Sequence, residues 1–207
     1  MERTEQLGSC RYAWDGDCFP LGQDSLALGA FCTLRPRWRV CDLGCGAGAL
    51  MLLLLRREPS LQVQGIELDP HAAEYARRNL AENGLTGAVT TGDLTDRNIL
   101  SPAGCCDLVV SNPPYFAAGS GGDGGRSRME DGCTPEALCA AAAHLLRNGG
   151  RFALVHRPER LCDLFCALRG AGLEPKRLKL LAAPGKAPYA VLLEAVRQGR
   201  PGLKFEP

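Results

Sequence analysis

Short apolar runs alternate with amphipathic stretches from residue 39 onward, which predicts βαβ units around a parallel sheet. The apolar runs predict five strands, at Val40–Leu43, Val63–Glu67, Ala88–Thr91, Asp107–Ser111 and Phe152–Val155. The amphipathic stretches predict helices at Ala47–Arg57, from Pro70 onward, from Pro135 onward and at Pro158–Arg169. Each strand is thus followed by a segment long enough to cross over to the next one.

Two of these helices have clear start and stop signals. Asp69-Pro70 and Thr134-Pro135 each combine an N-cap side chain with a proline suited to the first helical position. Asn83-Gly84 is expected to end the first of these helices, and Asn148-Gly149-Gly150 the second.

The chain ends with two strand-like runs, Arg177–Leu181 and Tyr189–Val196, separated by only seven residues. Because so short a connection cannot hold a crossover helix, these strands are expected to be antiparallel. The prediction is an α/β, doubly wound, seven-stranded Rossmann-like sheet, mostly parallel with a C-terminal antiparallel hairpin. It is similar to the class I fold of S-adenosylmethionine (SAM) methyltransferases, whereas NAD-binding domains usually lack the hairpin. Residues 1–38 are predicted to be an N-terminal cap segment of the same domain, and residues 39–207 the methyltransferase domain.

A glycine-rich loop, Asp42-Leu-Gly44-Cys-Gly46-Ala-Gly48, directly follows the first predicted strand. The glycines permit a tight turn and leave room for a ligand against the backbone. The loop resembles the SAM-binding motif, in which Glu67 would accept bonds from the ribose hydroxyls. It also satisfies the dinucleotide fingerprint, but Asp42 would repel a pyrophosphate and suits the SAM ammonium group.

Gly92-Asp93-Leu94 follows the third predicted strand and adds to the cofactor interpretation. Asp93 can accept a bond from an adenine amino group, although a helix N-cap is the alternative role for this residue. The resemblance to SAM-binding proteins implies that Asp24, Leu68 and Leu94 also belong to the cofactor site.

The fourth predicted strand ends in Asn112-Pro113-Pro114-Tyr115. Two prolines stiffen the backbone, and strand ends of this kind line the ligand crevice of a doubly wound sheet. Asn-Pro also occurs as simple loop punctuation. The tetrapeptide resembles the catalytic motif of amino-methyltransferases acting on adenine N6, cytosine N4 or the glutamine amide. That resemblance implies that Asn112 and Pro113 accept hydrogen bonds from the two N–H groups of the target amine and that Tyr115 stacks on a planar base.

With the flanking segments at residues 19–28, 156–160 and 185–195, the chain resembles the bacterial tRNA(Val) adenine-N6 methyltransferase family over residues 8–207. The resemblance implies SAM as cofactor and methylation of adenine N6 in tRNA near the anticodon. Methylation of a protein glutamine or of an rRNA base remains an alternative, as does a non-catalytic SAM-fold protein that binds RNA or acts as a scaffold. The segment before residue 39 is too short for the helical domain usual in the glutamine enzymes.

Charge supports a nucleic-acid partner. Residues 1–146 carry 12 Lys and Arg against 18 Asp and Glu, whereas residues 147–207 carry 12 against 5. Candidate RNA contacts are Arg126, Arg128, Arg157 and Lys186, with Lys176, Arg177 and Lys179 as further basic positions.

The eleven cysteines include no CxxC pair and lie mostly in apolar stretches, so we expect free structural thiols in a reducing compartment and no metal site. His71, His144 and His156 are also expected to be structural. No apolar run is long enough to span a bilayer, and the N-terminus does not resemble a secretory signal. The expected location is the cytoplasm, with no membrane partner.

Overall fold

Ten strands, five α-helices and one short 3-10 helix occur in residues 1–100, 102–113 and 134–207, which the computed structural model describes. The strands are β1 (Arg3–Leu7), β2 (Cys10–Trp14), β3 (Arg39–Leu43), β4 (Gln62–Glu67), β5 (Gly87–Thr91), β6 (Cys106–Ser111), β7 (Leu146–His156), β8 (Leu173–Leu181), β9 (Ala190–Arg197) and β10 (Lys204–Glu206). The helices are α1 (Gln23–Phe31), α2 (Ala49–Arg57), α3 (Pro70–Glu82), α4 (Pro135–Leu145) and α5 (Leu161–Gly170), and the 3-10 turn is Pro158–Arg160.

An eight-stranded sheet in the order β10-β8-β9-β7-β6-β3-β4-β5 forms the centre of the molecule. Strands β3 to β7 are mutually parallel, and β9 is antiparallel to both β7 and β8. These pairings confirm the doubly wound sheet with a closing antiparallel hairpin. The strand order reverses at β3, so the crevice expected for a ligand lies beyond the carboxyl ends of β3, β4 and β6.

All seven predicted strands are present, and the structure adds an eighth, β10, which pairs in parallel with β8 through Lys204–Glu206. A second addition is the antiparallel hairpin β1–β2, which forms its own two-stranded sheet within the segment predicted only as a cap. Both additions are short, and neither has an apolar pattern strong enough to indicate a strand.

The predicted end of helix α4, at Asn148-Gly149-Gly150, was wrong. Helix α4 ends at Leu145, and β7 begins at the next residue, so Asn148, Gly149 and Gly150 lie inside a strand. Leu146 takes an extended conformation, pairs with Cys106 of β6 and is only 1% exposed. Burial of this leucine in the sheet therefore outweighs the local helix-stop signal. Gly149 still has a positive φ, of 77°, which a glycine adopts without strain.

The predicted starts of α3 and α4 are confirmed in detail. Asp69 accepts a hydrogen bond from the backbone N–H of His71 at 2.9 Å, with Pro70 in the first turn. Thr134 accepts one from Ala137 at 3.2 Å, again with a proline in the first turn. Capping of this kind depends only on neighbouring residues, which is why sequence alone was sufficient.

The N-terminal hairpin packs into the main core. Tyr12 and Trp14 of β2 are buried in the same apolar cluster as α2, and their rings stack with centroids 5.1 Å apart. Asn79 of α3 joins the two parts. Its amide oxygen accepts a hydrogen bond from the N–H of Ala13 at 2.9 Å, and its amide nitrogen donates to the C=O groups of Ala13 and Ala47, each at 2.8 Å. That residues 1–38 and 39–207 form one domain stays a prediction, which these contacts support.

Replacing Asn79 tests this connection. Asn79 is 0% exposed, so Asn79→Ala strands three backbone groups of Ala13 and Ala47 in the interior, and we expect a loss of about 2–4 kcal/mol in unfolding free energy. Urea denaturation followed by circular dichroism would measure it, with the exposed Asn98→Ala as the matched control. One shifted transition is expected; a separate early transition would show that the hairpin unfolds as its own unit.

Candidate functional site

A cavity of about 110 Å³ opens at the carboxyl edge of the sheet, where the strand order reverses. Its walls come from four parts of the chain: the N-terminal segment, the glycine loop, the end of β4 with the start of α3, and the end of β6. The lining includes Tyr12, Phe19, Ser25, Asp42, Gly44, Gly46, Glu67, Asp69 and Asn112. In this cavity the glycine loop and the asparagine after β6 share a surface.

The glycine loop takes conformations that other residues rarely adopt. Gly44, Gly46 and Gly48 have φ angles of 71°, 53° and 86°. A Cβ atom on Gly44 or Gly46 would meet no atom within 4 Å, whereas one on Gly48 would lie 3.2 Å from Ala76 of α3. The first two glycines therefore shape the loop and leave open space beside it, while the third permits close packing of α3.

Glu67 holds this loop in place. Its carboxylate accepts a hydrogen bond from the N–H of Gly46 at 2.7 Å through one oxygen and from the N–H of Asp69 at 2.9 Å through the other. Burial raises the pKa of Glu67, and the two backbone N–H groups act against that rise. A carboxylate has about four lone-pair positions, so the two bonds leave acceptor capacity for a hydroxyl group in the cavity.

Asp42 is the second acid of the site and differs sharply from the first. It is 1% exposed, and neither carboxylate oxygen has a hydrogen-bond partner among the described residues. Burial, and then the charge of Glu67, raise the pKa of Asp42 to about 8. A buried carboxylate without partners in a cavity wall is suited to receive a cationic group, which would stabilise its ionised form.

Asn112 stands at the end of β6 with its side-chain amide tethered. Its Nδ2 donates to Ser25 Oγ of α1 at 2.9 Å, and the preceding Ser111 donates to the C=O of Leu43 at 2.7 Å. Since the amide nitrogen is engaged by Ser25, the amide oxygen is the atom available to accept from a substrate. Pro114 and Tyr115 of the tetrapeptide lie outside the described residues, and Pro113 is buried.

The cavity brings together five of the predicted cofactor and catalytic residues, whereas Pro113 and four predicted cofactor residues lie off its wall. Asp24 lies in the first turn of α1, Leu68 is 44% exposed, and Leu94 packs against the core cluster that includes α4. Asp93 is exposed and accepts from both the N–H and the hydroxyl of Thr95, so it caps a turn, and no helix follows it. Cofactor contacts by these four residues stay predictions.

The predicted RNA-binding residues divide into three groups. Arg157 and Lys186 are exposed and follow the ends of β7 and β8, at the same edge of the sheet as Asn112. Arg126 and Arg128 lie outside the described residues. Arg177 is committed to the protein itself, because its guanidinium pairs with Glu206 and Glu194, so it is a poor candidate for contact with RNA.

Several side chains of the site carry no sequence signal that marks them as site residues, among them Ser25, Phe19 and Tyr12. Ser25 orients Asn112, the 55%-exposed Phe19 lies at the mouth of the cavity, and Tyr12 forms part of its wall. In the sequence, the segment from Phe19 to Ser25 is distinguished only by its resemblance to a family. Its polar side chains follow no period that would have separated Ser25 from an ordinary helix start.

The cysteines of the described residues are all free, and most are buried, as expected. Cys18, Asp15 and His71 do place their side-chain ligand atoms within 4.8 Å of one another. Asp15 and His71 form an ion pair at 2.9 Å that ties the N-terminal segment to α3, and this pairing accounts for their closeness. The absence of a functional metal stays a prediction. No helix among the described residues has the length and apolar character needed to cross a membrane.

Comparison with known proteins places this site in a family. The profile of the methyltransferase small domain matches residues 28–163. A tRNA1(Val) (adenine(37)-N6)-methyltransferase from Porphyromonas gingivalis is 35% identical over 191 residues, covering 86% of this chain and 75% of the relative. The enzyme of the same name from Tolumonas auensis is 33% identical over 180 residues, 84% of this chain and 74% of the relative.

The chain belongs to the methyltransferase small domain family. Among solved structures, a methyltransferase from Pyrococcus furiosus has a TM-score of 0.70 at 19% identity, covering 92% of this chain and 90% of its own. That likeness supports the fold alone. The family match includes the glycine loop, Glu67 and Asn112, but it leaves out Tyr12, Phe19, Ser25 and the β8–β9 hairpin. Part of the cavity wall therefore lies outside the residues that this profile matches.

The raised pKa of Asp42 predicts the direction in which the stability of the protein changes with pH. The folded pKa of about 8 exceeds the ordinary value of 3.8, so between these values the folded state binds more protons and stability falls as pH rises. The slope should be on the order of 1 kcal/mol per pH unit within that window. Urea unfolding of ligand-free wild type and Asp42→Asn from pH 5 to 9 should show wild type losing stability relative to the variant. Parallel pH profiles would contradict the assignment.

Proposed function

We propose that the chain is a SAM-dependent N-methyltransferase that methylates adenine N6 in tRNA, near the anticodon. The observation that carries the proposal is the shared cavity of Asp42, Glu67 and Asn112. In this cavity Asp42 is suited to bind a cationic group, Glu67 can accept a hydrogen bond from a hydroxyl, and Asn112 can accept one from an amine. The substrate is inferred from the relatives from Porphyromonas gingivalis and Tolumonas auensis, both of which are tRNA1(Val) (adenine(37)-N6)-methyltransferases.

The residues present fit SAM. The unpartnered carboxylate of Asp42 is suited to the ammonium group, Glu67 retains acceptor capacity for the ribose hydroxyls, and the open side of Gly44 and Gly46 leaves room along the backbone. Bound there, SAM would supply a methyl group activated by its sulfonium. An NAD pyrophosphate would meet Asp42 instead, and a buried acid without a partner disfavours that ligand.

Asn112 and Pro113 would hold the target amine. An amine conjugated to a purine ring is a poor nucleophile, because its lone pair is delocalised into the ring. Asn112 Oδ1 and the C=O of Pro113 can each accept a hydrogen bond from one of its two N–H groups. This arrangement favours a pyramidal nitrogen whose lone pair points into the cavity. The bond from Asn112 Nδ2 to Ser25 keeps the amide oxygen, and not the nitrogen, available for this role. Positioning of this kind can contribute effective molarities of about 10^5 M or more.

An RNA substrate is consistent with the charge of the chain, since its last 61 residues carry 12 Lys and Arg against 5 Asp and Glu. Arg157 and Lys186 lie at the edge of the sheet where Asn112 lies, so a strand bound at Asn112 could extend toward them. A cytoplasmic location, where a tRNA would be met, is part of the same proposal.

Asp42→Asn tests the cofactor assignment. We expect this variant to bind S-adenosylhomocysteine about 10- to 100-fold more weakly, because the partner of its ammonium group loses its charge. The same variant is expected to be the more stable protein without ligand, so weaker binding cannot be ascribed to unfolding. Isothermal titration calorimetry measures the affinity, with Asp163→Asn on the surface of α5 as the control. Undiminished affinity, or preferential binding of NADH, would refute the assignment.

Asn112→Ala tests the chemistry. We expect turnover to fall by two or more orders of magnitude while S-adenosylhomocysteine affinity stays within a few-fold of wild type, since the lost oxygen contacts the amine. The assay is tritium transfer from labelled SAM to tRNA lacking the modification, followed by digestion to locate N6-methyladenosine. A wild-type rate in the variant would rule out this mechanism. Label on protein, or on a carbon of the base, would point to another substrate.

A further inference from the structure

Tyr189 is an exposed aromatic residue at the edge of the sheet that carries the site. It immediately precedes β9, which runs antiparallel to β7 with Val191 opposite His156, the last residue of β7. The start of β9 therefore lies where the parallel strands end, on the side of the cavity. Tyr189 is 51% exposed, although an aromatic ring of this size is usually buried.

The position along this edge can be estimated from the strand order. Strands β9, β7 and β6 are successive neighbours about 4.8 Å apart, and the register places Tyr189 about three residues beyond the level of Asn112, so the two residues lie about 14 Å apart. Stacked nucleotides rise about 3.4 Å each, so this distance corresponds to about four nucleotides. An RNA strand with its target base at Asn112 would thus bring a nucleotide a few positions away to Tyr189.

The backbone that carries the ring is fixed. Lys186 donates to the C=O of Ala183 at 3.0 Å, closing a turn with Pro184 at its second position and Gly185, at a φ of 70°, at its third. The N–H of Tyr189 then donates to the C=O of Leu181 at 2.9 Å. An exposed ring on an anchored backbone loses little entropy when it stacks on a partner.

The charge around the ring favours a polyanion. Residues 182–189 carry one charged side chain, Lys186, which is exposed three residues before the tyrosine. Arg157, which directly follows the neighbouring strand β7, is also exposed. A planar ring beside cations is the combination with which proteins bind unpaired nucleotides, through base stacking and phosphate contact.

We propose that Tyr189 stacks on a base a few nucleotides away from the methylated one and that Lys186 contacts the phosphate beside that base. The proposal rests on the proposed function, because it takes Asn112 as the place of the target base. The ligand is an unpaired segment of RNA, such as the loop of a stem-loop.

The test compares four proteins by fluorescence anisotropy with labelled tRNA that lacks the modification: wild type, Tyr189→Ala, Tyr189→Phe and Phe205→Ala. We expect Tyr189→Ala to raise Kd about 5- to 100-fold, the usual range for loss of one stacked base. Tyr189→Phe keeps the ring and should stay within about two-fold of wild type. Phe205 is 73% exposed on β10 and pairs with Leu178 inside β8, away from the strand ends that carry Tyr189 and Asn112, so Phe205→Ala should leave Kd unchanged.

Two further readouts separate this role from a structural one. S-adenosylhomocysteine affinity should be the same in all four proteins, and Lys186→Ala should reduce the slope of log Kd against log salt by about one. Unchanged Kd in Tyr189→Ala, an equal loss in Phe205→Ala, or a loss in Tyr189→Phe as large as in Tyr189→Ala would overturn the stacking role.

Failure of this inference is distinguishable from failure of the proposed function. If wild type methylates RNA and Tyr189→Ala does so with the same Kd, only the stacking role is wrong. If wild type transfers label to protein and none to RNA, the proposed function is wrong, and the stacking role falls with it.

Discussion

The bidentate use of the Glu67 carboxylate is the interaction on which the site depends. It joins the glycine loop, through Gly46, to the start of α3, through Asp69, at the end of β4. A buried carboxylate is costly unless its oxygens are hydrogen-bonded, and charge-assisted bonds to backbone N–H groups offset much of that cost. With this bridge in place, loop, strand end and helix start hold one another at fixed distances around the cavity.

Asp42 is placed by the same framework but receives no such compensation. The sheet holds it between Gly65 of β4 and Val110 of β6, and its oxygens remain without partners in the described residues. The fold therefore maintains an acid in a state that is unfavourable without ligand. Strain of this kind at a binding site is consistent with a ligand that brings the missing charge, because binding then relieves a cost that folding has incurred.

The C-terminal hairpin has two roles that connect distant parts of the chain. Glu194 of β9 is 0% exposed and accepts from the N–H of Thr33 at 3.0 Å, and Arg177 of β8 donates to Thr33 Oγ1 at 2.8 Å. These bonds anchor the end of α1, the helix whose first turn supplies Ser25 to Asn112. The connection between the same two strands presents Tyr189 at the sheet edge. Anchoring and proposed RNA contact thus come from one hairpin.

The sequence by itself determined what depends on neighbouring residues and on periodicity. The strands from β3 to β9, the capped starts of α3 and α4, and the glycine loop were all predicted, because each is encoded within a few residues. Its resemblance to a known family was confirmed by comparison. Asp42, Glu67 and Asn112 were also selected, since ligands of doubly wound sheets meet the carboxyl ends of the strands.

Only the tertiary structure decided the contacts between residues far apart in the chain. Ser25 and Asn112 are 87 positions apart, and no local pattern indicates their bond. The early end of α4 at Leu145 follows from burial of the next leucine in the sheet, which outweighs the asparagine–glycine signal. Arg177 carries the same charge in sequence as Lys186, yet folding pairs it with internal acids. Partnership in three dimensions, which residue type does not encode, separates a structural cation from one exposed to a ligand.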